Sequence, residues 1–341
     1  MPVTLSYGSP DFEAAFNALL SAKREDSPDV DATVADIIAD VRARGDAAVI
    51  DLTAKFDRIT LTAQTFRISA EEIAKAIDEV PSQDKSALDL AAIRIRAYHA
   101  RQLPEDAEWT DEAGATLGWR WSPVSAAGLY VPGGLASYPS SVLMNAIPAK
   151  VAGVQRLAMV VPTPDGILNP LVLYAAHAAG VDEIYRIGGA QAVAALAYGT
   201  DTIAPVDKIT GPGNAYVAAA KRRVFGKVGI DMIAGPSEIL VIADVDNDPD
   251  WIALDLLSQA EHDPSAQSIL ITTDAAFGVA VSNAVEKRLE TLERREIAGA
   301  SWRDNGAIIV VPDLAIAASL SNRIAPEHLE LCVADVDALS A

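Results

Sequence analysis

The sequence has little of several residue types on which whole classes of protein depend. Its 341 residues include one cysteine, so neither an internal disulfide nor a cysteine-based zinc site can form within the chain. We interpret Cys332, between Leu331 and Val333, as a small buried hydrophobic residue in a protein of a reducing compartment. No apolar run approaches the roughly 20 residues of a membrane helix, and the N-terminus lacks the pattern of a signal peptide. We therefore expect a cytoplasmic protein.

Positive charge is also scarce. The chain has 27 Lys and Arg against 47 Asp and Glu, a formal net charge of −20. Such a surface repels phosphate backbones and anionic lipids, so we expect neither nucleic acid nor a membrane as partner. An anionic small molecule would have to be bound by local backbone N–H groups, such as those at a helix N-terminus.

The apolar pattern changes along the chain. Residues 34–52 and 70–100 have apolar residues at three- and four-residue spacing, which predicts helices. From about residue 118, short apolar runs alternate with helical segments, which is typical of βαβ units. The predicted fold is α/β, with two incomplete Rossmann-like parallel-sheet domains and a helical N-terminal segment. The predicted divisions are an N-terminal arm (1–20), a discontinuous first domain (21–123 plus 236–341) and a second domain (124–235).

Three glycine-rich turns follow predicted strands of the second domain: Gly133-Gly134, Gly188-Gly189 and Gly211-Pro212-Gly213. In doubly wound sheets ligands bind beyond the carboxyl ends of the strands, and each turn leads into a helix whose free N–H groups could face a phosphate. None matches the dinucleotide fingerprint. The turn that begins at Gly211 comes nearest, but Tyr216 occupies its third glycine position. One such turn is typical of any βα connection, whereas three in one domain favour a nucleotide site.

Gln259 and His262 lie three residues apart near the end of a predicted helix. That spacing places them on one face, about 60° apart around the axis, where they could supply two ligands to one zinc ion. The alternative is a capping histidine at a helix C-terminus. The spacing alone favours the alternative.

Glu327 and His328 are adjacent titratable residues after the helix-breaking Pro326. On a rigid turn at the start of a strand, such a pair suits general acid–base catalysis. The alternative, an exposed surface dipeptide, is equally compatible with the two residues alone. His99 and His177 lie inside alanine-rich helical patterns, and we interpret both as structural.

Several longer segments resemble the histidinol dehydrogenase family. They occur in the family's order, and the resemblance extends over roughly residues 20 to 335. Matches in register over that length are far more specific than any single motif. The segments are Tyr130-Val131-Pro132-Gly133-Gly134, Gly188-Gly189-Ala190-Gln191-Ala192, Gly211-Pro212-Gly213-Asn214, Ile230-Asp231-Met232-Ile233-Ala234-Gly235-Pro236-Ser237-Glu238, Gln259-Ala260-Glu261-His262 and Pro326-Glu327-His328-Leu329-Glu330.

The resemblance implies a four-electron oxidation of L-histidinol, through L-histidinaldehyde, to L-histidine, with two NAD⁺ reduced in succession. It also implies roles for particular residues. Glu327 and His328 would be the acid–base pair and would contact the substrate. The remaining expected contacts are with NAD (Tyr130, Gln191, Asn214), with substrate (Ser237, Gln259, His262) and with zinc (Gln259, His262).

In the family as this resemblance presents it, the chain continues well beyond the present residues. That later part brings an aspartate and a histidine to the zinc and substrate site, the histidine from the partner subunit of an interlocked homodimer. A catalytic zinc normally has three protein ligands and an open position. We therefore expect an incomplete zinc site in these 341 residues. Two alternatives stay open: a related NAD-dependent dehydrogenase of another small polar alcohol, or a shortened nucleotide-binding form without turnover.

Overall fold

The structure, a computed structural model, describes residues 2–22, 28–133, 138–233 and 237–340. Gly134 and the expected domain seam at Ala234 to Pro236 lie outside the described residues. The strands are β1 (Val3–Ser6), β2 (Ala107–Thr110), β3 (Thr116–Trp119), β4 (Ala126–Tyr130), β5 (Arg156–Val160), β6 (Glu183–Tyr185), β7 (Lys208–Thr210), β8 (Gly229–Ile230), β9 (Glu238–Ala243), β10 (Gln267–Thr272), β11 (Ala307–Val310) and β12 (His328–Cys332). The helices are α1 (Phe12–Ala22), α2 (Pro28–Arg44), α3 (Asp46–Asp57), α4 (Ala70–Glu79), α5 (Ser82–Ala100), α6 (Pro139–Ala152), α7 (Pro170–Ala179), α8 (Gly189–Tyr198), α9 (Ala215–Val224), α10 (Pro249–Ala260), α11 (Ala275–Leu289), α12 (Arg295–Asn305), α13 (Leu314–Ile324) and α14 (Val336–Ser340).

The chain divides into two compact units, each built on a parallel sheet. Unit 1 comprises Met1–Glu25 with Gly235–Ala341, and unit 2 comprises Asp26–Ala234. The unit 1 sheet has the order β1-β11-β10-β9-β12, and the unit 2 sheet has the order β6-β5-β4-β7-β8. From β4 onward the latter is the 3-2-1-4-5 order of an incomplete Rossmann sheet. The predicted α/β class with two Rossmann-like sheets is confirmed.

Burial on both faces explains why these segments form parallel strands. All six residues of β10 are buried, as are five of the six in β9, so helices must cover both sides of the unit 1 sheet. One core lies between that sheet and α10 to α12, and a second lies between the sheet and α1 with α13. Among the described residues, no helix is long and apolar enough to cross a membrane.

The helical N-terminal segment packs differently from the predicted arrangement. We expected residues 21–123 to join 236–341, but residues from Asp26 onward lie in unit 2. The apolar faces of α2 and α3 share one core with α8 and α9, and Val34 and Val41 are fully buried there. The apolar face of α2 could be predicted from the sequence, whereas the sheet that this face covers could not.

Three local predictions were also wrong. The helix expected over 34–52 is broken at Gly45, whose φ of +56° a helix cannot accommodate. The helix expected over 70–100 is broken at Pro81, which lacks the N–H of a helix interior. The stretch 104–115, expected to be irregular, begins the β2–β3 hairpin. In the expected arm, β1 pairs in parallel with β11.

Candidate active site

In unit 2, Tyr130 connects two of the three glycine-rich turns. It ends β4, and its phenolic oxygen accepts a hydrogen bond of 2.9 Å from the backbone N–H of Gly189, which begins α8. Burial raises the pKa of Tyr130 to about 12, so the hydroxyl stays protonated. Gly211 has φ +116°, and a Cβ there would lie 2.0 Å from the Tyr130 carbonyl oxygen. The turns after β4, β6 and β7 are therefore packed together at the carboxyl edge of this sheet.

The other two residues expected at NAD also hold these turns. Gln191, in the first turn of α8, is only 1% exposed. Asn214 is the N-cap of α9, and its Oδ1 accepts hydrogen bonds from the backbone N–H groups of Tyr216 and Val217. Tyr130 and Asn214 thus hydrogen-bond within these turns and Gln191 is buried beside one of them, while contact with NAD stays a prediction for all three.

The Gly211 turn is fixed by an ion pair that sequence patterns did not indicate. Lys221 of α9 has a side chain only 3% exposed, and it forms a salt bridge with Asp231. Its Nζ donates to the Gly211 carbonyl at 3.0 Å, while the Gly211 N–H donates to Asp231 Oδ2 at 2.8 Å. Both backbone polar groups of Gly211 are therefore held by this one pair.

In unit 1, the expected acid–base pair lies where β9 and β12 begin. His328 is the first residue of β12 and is paired in register with Ile239. Glu327 precedes it, and its Oε2 accepts a 3.3 Å hydrogen bond from the backbone N–H of Glu238. Ser237 comes directly before Glu238, so Ser237, Glu327 and His328 lie together at the amino edge of the sheet. Glu327 and His328 are exposed, and substrate can therefore reach both.

Gln259 and His262 are not on one helical face as expected. The helix α10 ends at Ala260, so His262 lies in the following turn and is exposed, whereas Gln259 is 6% exposed. A single turn still joins them, because the backbone N–H of His262 donates to the Gln259 carbonyl at 3.1 Å. The side-chain amide of Gln259 makes no hydrogen bond to any other residue that the structure describes. A ligand at this turn would satisfy that amide.

A third group of polar residues lies between α10 and β12. One ligand atom each from Asp255, Glu330 and Cys332 lies within 4.8 Å of the others. Burial is the largest cause of the raised pKa of each, and for Glu330 the charge of Asp255 adds to it. Because the two carboxyl groups are close and the pKa of both is raised, we interpret them as a pair that shares a proton. His328, Glu330 and Cys332 are two residues apart on one face of β12, which is the only signal the sequence contained.

We expect Glu330→Gln to raise the Tm near neutral pH. The pKa of Glu330 in the folded chain is raised, so its ionised form is less favourable than in the unfolded chain. This cost is absent below the pKa of a glutamate in the unfolded chain, about 4. It grows as the pH rises from there to the raised pKa of Glu330 in the folded chain. Calorimetry from pH 4 to pH 8 should show the variant's advantage grow with pH. The control is Glu290→Gln at an exposed position, and a pH-independent difference for Glu330→Gln would contradict the interpretation.

Comparisons with known proteins agree with this architecture. The family model for histidinol dehydrogenase matches residues 20–341. The histidinol dehydrogenase of Ruegeria pomeroyi is 80% identical over all of this chain, which spans 79% of that protein, and that of Cereibacter sphaeroides is 74% identical with the same coverage. The crystal structure of histidinol dehydrogenase from Elizabethkingia anophelis superposes with a TM-score of 0.90 at 36% identity, covering 99% of this chain and 77% of that one. The chain belongs to the histidinol dehydrogenase family.

Proposed function

We propose that this protein oxidises L-histidinol to L-histidine through L-histidinaldehyde, with two NAD⁺ reduced per substrate. The observation that carries the proposal is the placement of Glu327 and His328, side by side and exposed, beside Ser237 at the amino edge of the unit 1 sheet. Membership of the family supports the same reaction.

In the first oxidation, His328 removes the hydroxyl proton as the alcohol carbon loses a hydride. Imidazole suits this role because its ordinary pKa lies near neutral pH. The backbone of His328 is fixed because β12 pairs with β9, so its exposed imidazole ring projects from a rigid strand. Bound NAD⁺ supplies the hydride acceptor, and the products are aldehyde, NADH and one proton.

In the second oxidation, water must add to the aldehyde before another hydride can leave. Glu327 accepts the proton of the attacking water. The Glu238 N–H that donates to its carboxylate orients this side chain. His328, after releasing the proton of the first step to solvent, takes a proton of the hydrated aldehyde as the second hydride leaves to a second NAD⁺, and a carboxylate forms. Two neighbouring proton acceptors thus serve two successive steps at one carbon.

For NAD, we propose the carboxyl edge of the unit 2 sheet. α8 begins at Gly189, whose N–H already donates to the Tyr130 phenol, and the N–H groups of Ala190 and Gln191 in the same turn are available to a pyrophosphate despite the acidic surface of the chain. Tyr130, Gln191 and Asn214 surround the turns at this edge, which supports their assignment as cofactor-binding residues.

For zinc, we propose Gln259 and His262 as two of the ligands. The amide of Gln259 lacks a partner among the described residues, and an imidazole nitrogen is a common zinc ligand. Bound zinc would supply an orienting charge for the imidazole and amine of the substrate. Ser237, at the start of β9, would contribute a substrate hydrogen bond. We further propose a homodimer acting in the cytoplasm, as the family resemblance and the scarcity of cysteine led us to expect.

The test is the stoichiometry of NADH formation. With limiting L-histidinol and excess NAD⁺, we expect two NADH per substrate, measured by absorbance, and L-histidine as product. Greater turnover of another small polar alcohol in a panel of diols would favour a related dehydrogenase instead. NADH binding without turnover of any substrate would favour a nucleotide-binding form.

A further inference from the structure

Asp57, the last residue of α3, has an unfavourable environment for an acidic side chain. The residue is 8% exposed, and its Oδ2 is buried without a hydrogen-bond partner. It also lies at the C-terminus of a helix, where the macrodipole disfavours negative charge. A carboxylate oxygen that is buried without a partner is unfavourable, and native structures contain few such groups. A feature of this kind is expected mainly at functional sites.

The adjacent cation compensates only in part for this charge, because the Arg58 charge lowers the pKa of Asp57 by less than burial raises it. Arg58 follows Asp57 with left-handed backbone (φ +56°), and its exposed guanidinium forms a bidentate pair with Asp165 at 2.8 and 2.6 Å. The Asp165 carboxylate therefore already neutralises Arg58. Burial raises the pKa of Asp57, which is consistent with a carboxyl group that lacks a close partner.

Asp57 ends α3 on the side of unit 2 where β5 ends, because the next residue, Arg58, pairs with Asp165 in the loop after β5. Burial is the main cause of the raised pKa of Tyr130, and the charge of Asp57 adds to it. The Arg58–Asp165 pair ties this end of α3 to the loop after β5. Thr163 in that loop is 1% exposed, and its Oγ1 also lacks a partner. Two oxygens without a partner thus lie in the segments that this ion pair joins, and β5 is the neighbour of β4, the strand that Tyr130 ends.

The chemistry of the missing partner follows from the carboxylate. An ionised carboxylate only accepts hydrogen bonds, and it repels phosphate. The donors of a dinucleotide are its ribose hydroxyls, its adenine amino group and its carboxamide. Of these, we choose a ribose hydroxyl because other dinucleotide-binding folds bind that group through an acidic residue. Here the acidic residue would come from an N-terminal helix rather than from a strand of the sheet.

We propose that Asp57 is a cofactor-binding residue whose carboxylate accepts a hydrogen bond from a ribose hydroxyl of the dinucleotide. This inference rests on the proposed NAD site in unit 2. It has a consequence that a purely structural role lacks. Without cofactor, the buried carboxylate lowers the stability of the folded chain, whereas with cofactor bound it accepts a hydrogen bond from the ligand. Removing its charge should therefore change stability and affinity in opposite directions.

The experiment compares Asp57→Asn with Asp51→Asn, an exposed acid on the same helix bonded to Arg44. For each variant of the 341-residue chain, NADH fluorescence titration gives the Kd, and calorimetry without ligand gives the Tm. We expect Asp57→Asn to raise the Kd about tenfold or more, as the loss of a hydrogen bond to a charged group implies, with an unchanged or higher Tm. Asp51→Asn should leave the Kd unchanged.

A Kd within twofold of the unaltered protein would overturn the inference, and so would a higher Kd with a lower Tm. If Asp57→Asn fails to fold, Asp57→Ala answers the same two questions; failure of both to fold would show an internal role and overturn it too. Titrations with NADPH show which of the two riboses Asp57 contacts. NADPH carries an extra phosphate on its adenosine ribose, so Asp57→Asn should reduce the preference for NADH over NADPH only if Asp57 contacts that ribose. If the unaltered chain fails to bind NADH, the proposed NAD site itself is wrong, and the assignment of Asp57 falls with it.

Discussion

His328→Ala should lower kcat for L-histidinol by about 10²- to 10⁴-fold, the usual contribution of a positioned general base. The side chain is exposed at the first residue of β12, and the strand pairs with β9 through backbone groups that alanine retains. The Tm should therefore change little. The measurement is NADH formation at saturating NAD⁺ and histidinol, with the Tm determined on the same preparation.

The matched control is His177→Ala, an exposed histidine on α7 that we interpret as structural. Its kcat should stay within twofold of the unaltered protein. Near-normal turnover by His328→Ala would remove His328 from the mechanism. A large fall in the Tm would show that its loss of activity comes from unfolding.

Gly211→Ala should destabilise unit 2 and weaken NADH binding. Two costs combine: a backbone with φ +116° and a Cβ placed 2.0 Å from the Tyr130 carbonyl oxygen. Strain and overpacking of this kind cost about 1–3 kcal/mol each. At 2–4 °C per kcal/mol, a total near 3 kcal/mol lowers the Tm by about 6–12 °C. The NADH Kd should rise as well, because the turn shares its packing with Tyr130 and leads into Asn214.

Gly226→Ala separates these two costs. Gly226 lies in the same unit with φ +97°, but a Cβ there would meet nothing within 4 Å. This variant carries the backbone cost alone, about 1 kcal/mol. Equal losses of Tm in the two variants would contradict a steric contribution from Tyr130.

Parallel strands were predictable because burial on both faces leaves a continuous apolar run. Glu238 to Ala243 is such a run, and it forms β9 as expected. β1 was missed because Val3 to Ser6 is a short edge strand, and its partner β11 comes near the end of the chain. Periodicity describes the face of an element, whereas pairing between distant segments depends on tertiary packing.

The candidate site was predictable only where residues are neighbours in sequence. Glu327 and His328 are adjacent, and the strand start expected there is where the structure places them. The rule that ligands bind at carboxyl ends fits the cofactor site that we propose in unit 2, yet the proposed acid–base pair lies at the amino edge of the unit 1 sheet. Clusters such as Lys221 with Asp231, or Asp255 with Glu330, join separate elements. No local sequence pattern indicated either of these clusters.

The pairing of β1 with β11 bears on how the chain folds during synthesis. Val3 lies opposite Ala307, and unit 2 occupies most of the sequence between them. Unit 2 is contiguous, so all of its strands leave the ribosome before the first strand of unit 1 gains a partner. Residues 3–6 are thus ordered later than unit 2, although they precede it in the chain, and unit 2 is expected to fold first. A nascent chain stopped near residue 234 would hold a folded unit 2 preceded by an unpaired edge strand.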